Sequence, residues 1–222
     1  MSRPRVLVFD VNQTLSDLAP LAGRFGEVGA PPELAAAWFA GLLRDGIALA
    51  ATGESASFAD IARAELVSVL RPILGTEALT DAVPHVLDGI GELGVHPDVG
   101  EGVRALGDLG IELVTLSNGA SSVAETLLTR AGIREGFSRL LSVEDAGVWK
   151  PARAAYEHAL AACGVAAEEA MLVAVHPWDI HGAARAGLRT AWLNRGGARY
   201  PDHFAAPDLS PTSLVALADE LA

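Results

Sequence analysis

Short apolar runs alternate along this chain with longer stretches that are rich in alanine and leucine. This alternation predicts a parallel sheet that is covered by helices. The predicted strands are Arg5–Phe9, Glu112–Leu116, Leu140–Val143, Met171–Val175 and Thr190–Leu193. The sequence therefore predicts an α/β fold.

Residues 16–94 differ from the rest of the chain because they contain helical patches but no convincing strand. The clearest patches are Pro31–Asp45 and Phe58–Leu70. The simplest arrangement is a core made of residues 1–15 and 95–222. A mostly helical cap made of residues 16–94 would then be inserted after the first strand.

The chain is expected to return to the core through Val95–Val99, and Gly100–Gly110 is predicted to be a helix. A closing helix is predicted over Leu209–Leu221. Ser210 would be its N-cap and Pro211 its first helical residue, a position that suits proline.

The balance of charge argues against a nucleic-acid partner. The chain has 28 acidic and 16 basic residues and a net charge of −12, whereas phosphate binding needs a basic face.

Its one cysteine, Cys163, excludes an internal disulfide and a cysteine-based zinc site. No apolar stretch approaches the roughly 18 residues of a membrane span, and Met1–Arg5 leads into a strand rather than a signal peptide. We therefore expect a cytoplasmic protein with no membrane partner.

Three of the predicted strands end at polar clusters. The clusters are Asp10 with Asn12, Ser117 with Asn118, and His176 with Asp179. In open parallel sheets, ligands bind beyond the carboxyl ends of the strands. We therefore expect these side chains to converge in one site.

The first cluster suggests a nucleophile. Asp10 ends a buried strand, and the hydroxyl of Thr14 follows four residues later. An aspartate two residues after Asp10 could protonate a leaving group, but Asn12 can offer only hydrogen bonds. The pattern favours a reaction that needs the first carboxylate and not a second.

Four motifs in this order resemble those of the haloacid dehalogenase superfamily, and the similarity extends over nearly the whole chain. The 2-haloacid dehalogenase branch resembles it most closely. The motifs are Asp10–Leu15, Thr115–Gly119, Leu141–Val143 followed by Val148–Pro151 and Tyr156, and Trp178–Asp179 with Gly182–Ala183. Each motif alone is weak, but four in order make the assignment strong.

The resemblance implies a Rossmann-like core with a helical cap, and it implies catalytic roles for five residues. Asp10 would be the nucleophile, and Thr14 and Ser117 would orient it or bind a substrate carboxylate. Lys150 would balance the carboxylates. Asp179 would pair with Lys150 and help to activate the water that cleaves an ester intermediate.

The resemblance also implies positions that bind the substrate. These are Asn12, Asn118, Tyr156, His176 and Trp178 in the core, and Phe39 and Phe58 in the cap. A structural role is the alternative for Tyr156, and ordinary core packing is the alternative for the two phenylalanines. A homodimer is expected from the resemblance alone.

The chain departs from the pattern of this branch at several positions. Asn12 and Gln13 stand where the branch usually has Tyr-Gly, and Phe39 aligns with a cap arginine that receives halide. Ala174 and His176 stand where serine and asparagine are more common. His176 could bind a carboxylate or halide as an imidazolium ion, or it could act as a base.

The chemistry of the site favours cleavage of a carbon–halogen bond. Phosphatases of the superfamily carry an aspartate at the position of Asn12 and a further acidic residue near Val175 to hold magnesium, which prefers oxygen ligands. We therefore predict hydrolytic dehalogenation of short (S)-2-haloalkanoic acids to 2-hydroxy acids through an aspartyl ester, with no metal or other cofactor. The alternative is a magnesium-dependent, phosphatase-like hydrolase of a small phosphorylated metabolite. A binding member without catalytic activity ranks last, because Asp10, Lys150 and Asp179 are retained.

Overall fold

The computed structural model describes residues 3–222 and contains a five-stranded parallel sheet with the strand order β3-β2-β1-β4-β5. The strands are β1 (Val6–Phe9), β2 (Glu112–Ser117), β3 (Arg139–Ser142), β4 (Ala170–Ala174) and β5 (Arg189–Trp192). The predicted α/β fold with a parallel, Rossmann-like sheet is confirmed. The strand ends differ from the predicted ends by one residue at most.

Helices cover the sheet and form a cap over one end of it. Three helices lie between β1 and β2, and we call them the cap: α1 (Leu21–Glu27), α2 (Leu34–Thr52) and α3 (Phe58–Glu92). The others are α4 (Val99–Asp108), α5 (Ser121–Arg130), α6 (Val143–Ala146), α7 (Arg153–Cys163), α8 (Pro177–Ala186) and α9 (Leu214–Leu221).

The central strand β1 is buried on both faces, and its side chains alternate between two apolar cores. Leu7 and Phe9 belong to the core that includes the buried faces of α4 and α9. Val6 and Val8 belong to a larger core that continues into the cap, where it includes Trp38. The cap and one face of the sheet therefore share a single apolar core.

The register of β1 fixes the place of the polar clusters. Phe9 lies opposite Thr115 of β2 and Val173 of β4, its two neighbours in the sheet. The residues that follow these three positions therefore emerge side by side at one edge. The cap closes over the same edge, because the chain leaves and returns to the core at Ser16 and Val95, which form an antiparallel bridge.

The long cap helix α3 consists of two helical segments that meet at Gly75. Gly75 has φ 74° and ψ 172°, a conformation that side chains rarely adopt, so glycine permits the bend. The helix also contains Pro72 and Pro84, yet residues beyond them remain helical. The helical part of the cap thus extends well past the predicted Phe58–Leu70.

The predicted start of the closing helix was wrong. The N-cap of α9 is Ser213, whose hydroxyl oxygen accepts a hydrogen bond from the N–H of Ala216 at 3.0 Å. Ser210 is not the cap because the preceding segment lies beside β5. There the N–H of Trp192 donates to the carbonyl of Leu209 at 2.9 Å, so backbone pairing replaces the expected first helical turn.

The expectation that no apolar stretch approaches the length of a membrane span was wrong, because helix α2 reaches that length. Its 19 residues are long and apolar enough to cross a membrane by length and composition alone. Those two properties also fit a core helix of a globular fold. Here Trp38, Phe39 and Leu42 are buried in the apolar core that the cap shares with the sheet.

Candidate active site

Asp10 directly follows β1 and has only 3% of its surface exposed. Its Oδ2 accepts a hydrogen bond from the Thr14 hydroxyl at 2.6 Å, and its Oδ1 accepts one from the Lys150 ammonium at 2.9 Å. The Thr14 oxygen in turn accepts a hydrogen bond from the N–H of Val175 at 3.1 Å. These contacts hold the Asp10 carboxylate in one orientation.

Lys150 brings a positive charge into the protein interior, where its side chain is fully buried. Its Nζ donates to Asp10 Oδ1 at 2.9 Å and to Asp179 Oδ2 at 2.6 Å. Asn118 fixes the backbone of the lysine, since Asn118 Oδ1 accepts a hydrogen bond from the Lys150 N–H at 2.9 Å. The second motif therefore positions the lysine of the third motif between two carboxylates.

The charges of Lys150, Asp10 and Asp179 determine the protonation state of the lysine. Burial lowers the pKa of Lys150, but the carboxylates of Asp10 and Asp179 more than offset this effect, and the pKa lies above its ordinary value of 10.5. Burial raises the pKa of Asp179, and the Lys150 charge opposes that rise. Lys150 is therefore an ammonium ion throughout the neutral pH range.

Tyr156 supports Asp179 from α7. The Tyr156 hydroxyl donates to Asp179 Oδ1 at 2.6 Å, while Asp179 Oδ2 accepts from Lys150. Burial and the neighbouring Asp179 charge raise the pKa of Tyr156 well above 10.0, so its hydroxyl remains a donor. Both oxygens of Asp179 are thus occupied.

Gly182 lets α8 approach Tyr156 closely. A Cβ atom at Gly182 would lie 2.5 Å from the Tyr156 hydroxyl and 2.6 Å from Cβ of Pro151. We expect Gly182→Ala to push Tyr156 away from Asp179 and to lower the free energy of unfolding by about 1–3 kcal/mol. Gly107→Ala on α4 is the control, because a Cβ there meets no atom within 4 Å. Urea unfolding compares the two variants, and equal stabilities would contradict the packing argument.

His176 lies between the core and the cap, beside Asp10. Its ring stacks with Phe39 of the cap and with Trp178 of α8, at centroid distances of 6.4 Å and 5.2 Å. Its Nε2 lies 3.1 Å from the carbonyl oxygen of Asn12 and 3.7 Å from Asp10 Oδ2. Because a carbonyl oxygen can only accept, we assign the proton to Nε2.

The residues of this site do not fit a magnesium ion. The carbonyl of Asn12 already accepts a hydrogen bond from His176, and the Lys150 ammonium lies between the carboxylates of Asp10 and Asp179. Magnesium prefers several oxygen ligands, usually including carboxylates. Within residues 3–222, no group of three or more histidine, cysteine, aspartate or glutamate side chains could hold a metal.

The other predicted residues surround Gly119, just after β2. The Gly119 N–H donates to Ser117 Oγ at 2.9 Å. A Cβ atom at Gly119 would lie 3.8 Å from Asn12 Nδ2 and 3.8 Å from the ring of Phe58. The glycine therefore leaves space between an amide, a hydroxyl and an aromatic ring. The predicted site residues of the core thus lie at one end of the sheet, and Phe39 and Phe58 approach them from the cap.

Trp149 joins the cap to the core, a role that the sequence did not reveal. Its ring is fully buried and stacks with Phe58, and its Nε1 donates to the carbonyl of Ala56 at 2.9 Å. On α2, Gly46 makes room for the ring, because a Cβ there would lie 2.3 Å from it. The available signal was its position next to Lys150 in the third motif.

Two further residues support the site from the ends of strands. Ser142 donates to the carbonyl of Gly119 at 3.0 Å. Arg195 donates to the carbonyl of Thr14 at 2.9 Å and forms an ion pair with Asp98 at 2.9 Å. Both could have been found from the sequence, since each lies at or just after the carboxyl end of a predicted strand.

A cleft of about 720 Å³ adjoins the site between the cap and the loop after β5. Leu18, Phe39, Val175 and Leu193 contribute to its apolar wall. Phe39 also stacks on His176. The cleft therefore reaches the cap side of the site.

A buried aspartate, paired with a buried lysine, thus lies at the end of the central strand and under a helical cap. The chain belongs to the haloacid dehalogenase-like hydrolase family, whose model matches residues 4–187. This confirms the family that the four motifs predicted.

Several relatives resemble this chain over different lengths. An (S)-2-haloacid dehalogenase of Pseudomonas sp. strain YL is 30% identical over 216 residues, which cover 96% of this chain and 92% of that protein. A solved dehalogenase structure with an intermediate complex has a TM-score of 0.92 and 27% identity, covering 100% of this chain and 99% of the other. A phosphoserine phosphatase of Thermus thermophilus is 40% identical over 101 residues, only 45% of this chain and 40% of that protein. The similarity to dehalogenases therefore includes both the core and the cap.

Proposed function

We propose that this protein hydrolyses short (S)-2-haloalkanoic acids to 2-hydroxy acids and halide through an ester on Asp10. The observation that carries the proposal is a buried Asp10 carboxylate that pairs with Lys150 at 2.9 Å, with Asn12 where a general acid would stand. Halide leaves with its bonding electrons and needs no proton, whereas the leaving group of a phosphate ester does. Similarity to an (S)-2-haloacid dehalogenase over nearly the whole chain supports the same reaction.

In the first half-reaction, the Asp10 carboxylate attacks C2 of the substrate. A carbon–oxygen bond forms as the carbon–halogen bond breaks, the halide keeps the electron pair, and C2 is inverted. The Lys150 ammonium holds Oδ1, whereas Oδ2 accepts from the uncharged Thr14 hydroxyl and is the oxygen nearer to His176. We therefore assign the attack to Oδ2.

The space beside Gly119 suits the rest of a short haloacid. The Ser117 hydroxyl and the Asn12 amide can donate to the substrate carboxylate, and Phe58 borders the same space. On the cap side, Phe39 adds a second aromatic surface next to His176. An apolar lid of this kind excludes stray water and strengthens the electrostatic interactions at Asp10.

In the second half-reaction, water attacks the carbonyl carbon of the Asp10 ester and releases the 2-hydroxy acid. Negative charge then develops on Asp10 Oδ1, where the Lys150 ammonium already donates. Asp179 holds the ammonium in place at 2.6 Å, and Tyr156 in turn holds Asp179 at 2.6 Å.

We also propose that the protein acts in the cytoplasm, without a nucleic-acid or membrane partner, as a homodimer. The net charge of −12 opposes binding to phosphate backbones. Helix α2 is strongly apolar, and part of that surface remains outside the buried core of the monomer. Light scattering coupled to size exclusion measures the oligomeric state, and a monomer at all concentrations would contradict the dimer.

A halide-release assay tests the proposed reaction directly. We expect halide from (S)-2-chloropropionate but not from its (R) enantiomer, because Asp10 fixes the line of attack. A chelator should have no effect, because the proposed reaction uses no metal. Chiral chromatography should find (R)-lactate as the product. Magnesium-dependent phosphate release from a panel of phosphorylated metabolites, with no halide release, would contradict the proposal and favour a phosphatase.

A further inference from the structure

Basic side chains from distant parts of the sequence hold the turn that follows Asp10. Three consecutive carbonyls of this turn each accept a hydrogen bond from such a side chain. The pairs are Asn12 with His176, Gln13 with His96, and Thr14 with Arg195, at 3.1, 2.9 and 2.9 Å. Gln13 has φ 63°, in the left-handed region that residues other than glycine seldom adopt, so the turn depends on its surroundings to keep this shape.

The contact at Thr14 leads to the nucleophile through a single residue. Arg195 Nη1 donates to the Thr14 carbonyl at 2.9 Å, and the Thr14 hydroxyl donates to Asp10 Oδ2 at 2.6 Å. Oδ2 is the oxygen to which we assigned the attack on C2. Thr14 is fully buried, so protein contacts rather than solvent set its position. Arg195 therefore acts on the direction of Asp10 Oδ2 from outside the reacting atoms.

The guanidinium group of Arg195 is itself fixed at two points. Its Nε donates to Asp98 Oδ1 at 2.9 Å, and its Nη2 donates to Asp98 Oδ2 at 3.1 Å. Pairing of this kind sets the plane of the guanidinium group as well as its distance, and it leaves Nη1 for the Thr14 carbonyl. Asp98 Oδ2 also accepts from the N–H of Leu214 at 2.8 Å, which anchors the pair to the start of α9.

The pair of Arg195 and Asp98 is charged at neutral pH. Burial raises the pKa of Asp98, but the hydrogen bonds from Arg195 and from the Leu214 N–H more than offset this effect, so the pKa lies below its ordinary value. Arginine stays protonated in proteins. The side chains of Arg195 and Asp98 are only 20% and 17% exposed, so salt screens their attraction less than it would at the open surface.

The same pair lies where the cap joins the core. Asp98 directly precedes α4, in the segment that returns from the cap, and Arg195 lies in the loop after β5. In that returning segment, the N–H of His96 donates to the carbonyl of Leu15 at 3.0 Å. Arg195 and Asp98 therefore connect the turn after Asp10 to the base of the cap.

We propose that Arg195 is a positioning residue for the first half-reaction: it holds Thr14 so that the Thr14 hydroxyl directs Asp10 Oδ2 at C2 of the substrate. This role rests on the proposed dehalogenase function. The bond from Oδ2 to C2 forms as the carbon–halogen bond breaks, so the three atoms must lie in line. A displacement of about 1 Å can slow such a reaction by roughly 10²-fold.

Two substitutions of Arg195 separate positioning from stability. Arg195→Met removes all three donor nitrogens, whereas Arg195→Lys keeps a cation beside Asp98 but has one nitrogen in place of three. In single turnovers of (S)-2-chloropropionate with enzyme in excess, the saturated rate of chloride release should fall by about 10–10²-fold in Arg195→Met. The enzyme concentration that gives half of this rate should change by no more than about threefold. Arg195→Lys should unfold near the wild-type temperature and still be slower by about tenfold.

Arg199→Met is the matched control. Arg199 lies in the same loop after β5, and its exposed side chain pairs with Asp202. The substitution removes the same charge without touching the turn after Asp10, so chloride release should keep the wild-type rate. Circular dichroism and thermal unfolding establish that each variant is folded at the temperature of the assay.

A double variant tests whether Arg195 acts through Thr14. Thr14→Val removes the hydroxyl that contacts Asp10 but keeps the carbonyl that Arg195 holds. In this background, Arg195→Met should slow chloride release by less than about threefold, because the group through which Arg195 acts is already gone. Single turnovers can be followed for hours, so a slow background rate remains measurable. Losses that multiply in the double variant would overturn the proposal.

The outcomes distinguish this proposal from the proposed function. If wild-type protein releases no halide, the proposed function fails and the role of Arg195 falls with it. If wild type is active, three results would each overturn the role of Arg195 alone. An unchanged saturated rate reached only at higher enzyme concentration would mean that Arg195 binds the substrate. A full chloride burst followed by a persistent ester on Asp10 would place Arg195 in the second half-reaction. Wild-type rates in a folded Arg195→Met would show that Asp10 needs no such support.

Discussion

Asp10→Asn should remove measurable halide release, a loss of at least about 10⁴-fold in kcat, because a neutral amide cannot displace a halide. The fold should survive the change. Lys150 keeps its ion pair with Asp179 at 2.6 Å, so no buried charge is left without a partner. Halide release measured beside thermal unfolding should therefore show an inactive protein that is still folded.

Two further variants sharpen this prediction. Asp10→Ala also removes the carboxylate. Unlike the asparagine in Asp10→Asn, alanine has no amide that could hydrolyse slowly back to a carboxylate. Asp17→Asn makes the same change of charge a few residues along the same loop, where the Asp17 carboxylate accepts from the N–H of Ala19 at 2.9 Å. It should keep near wild-type turnover. Turnover above about one hundredth of wild type in Asp10→Ala would exclude Asp10 as the nucleophile.

Lys150→Met should have the largest effect on stability. The substitution keeps most of the side-chain length but leaves Asp10 and Asp179 close together, buried and without their shared cation. Breaking a buried ion pair in this way destabilises a protein by about 3–5 kcal/mol. Urea unfolding should measure this loss, and halide release should disappear with it.

The double variant Lys150→Met with Asp10→Asn tests the electrostatic cause. It leaves one unpaired buried carboxylate, Asp179, instead of two, and Tyr156 still donates to it at 2.6 Å. We expect the double variant to be more stable than Lys150→Met by about 1–3 kcal/mol. Additive losses from the two substitutions would show that the destabilisation arises from packing and not from charge.

Local sequence patterns predicted the sheet well because strands buried on both faces are short apolar runs bounded by polar residues. They failed where tertiary packing overrides local signals. The predicted helical patch ended at Leu70, yet a second helical segment of α3 follows the bend at Gly75, because its residues Leu79, Val83 and Val86 are buried in the apolar core. Ser210 and Pro211 likewise match the sequence pattern of a helix start. The preceding residue Leu209 instead accepts a backbone hydrogen bond from Trp192 of β5.

The motifs predicted which residues meet in the site but not which way their polar atoms face. Asn118 was expected to contact the substrate, and in the structure its Oδ1 holds the backbone of Lys150. The stacking of Phe39 on His176 joins two departures from the family pattern that are far apart in sequence. Such contacts depend on how the cap packs on the core, which no local pattern encodes.

The central claim is that Asp10 forms a covalent ester that water cleaves at the Asp10 carboxyl carbon. A single turnover of (S)-2-chloropropionate in ¹⁸O-water, with enzyme in excess, tests it most directly. We predict that ¹⁸O appears in the Asp10 side chain, located by mass spectrometry of the peptide, and that the first lactate released carries none. Lactate labelled in the first turnover, with Asp10 unlabelled, would show direct attack of water on C2 and contradict the claim.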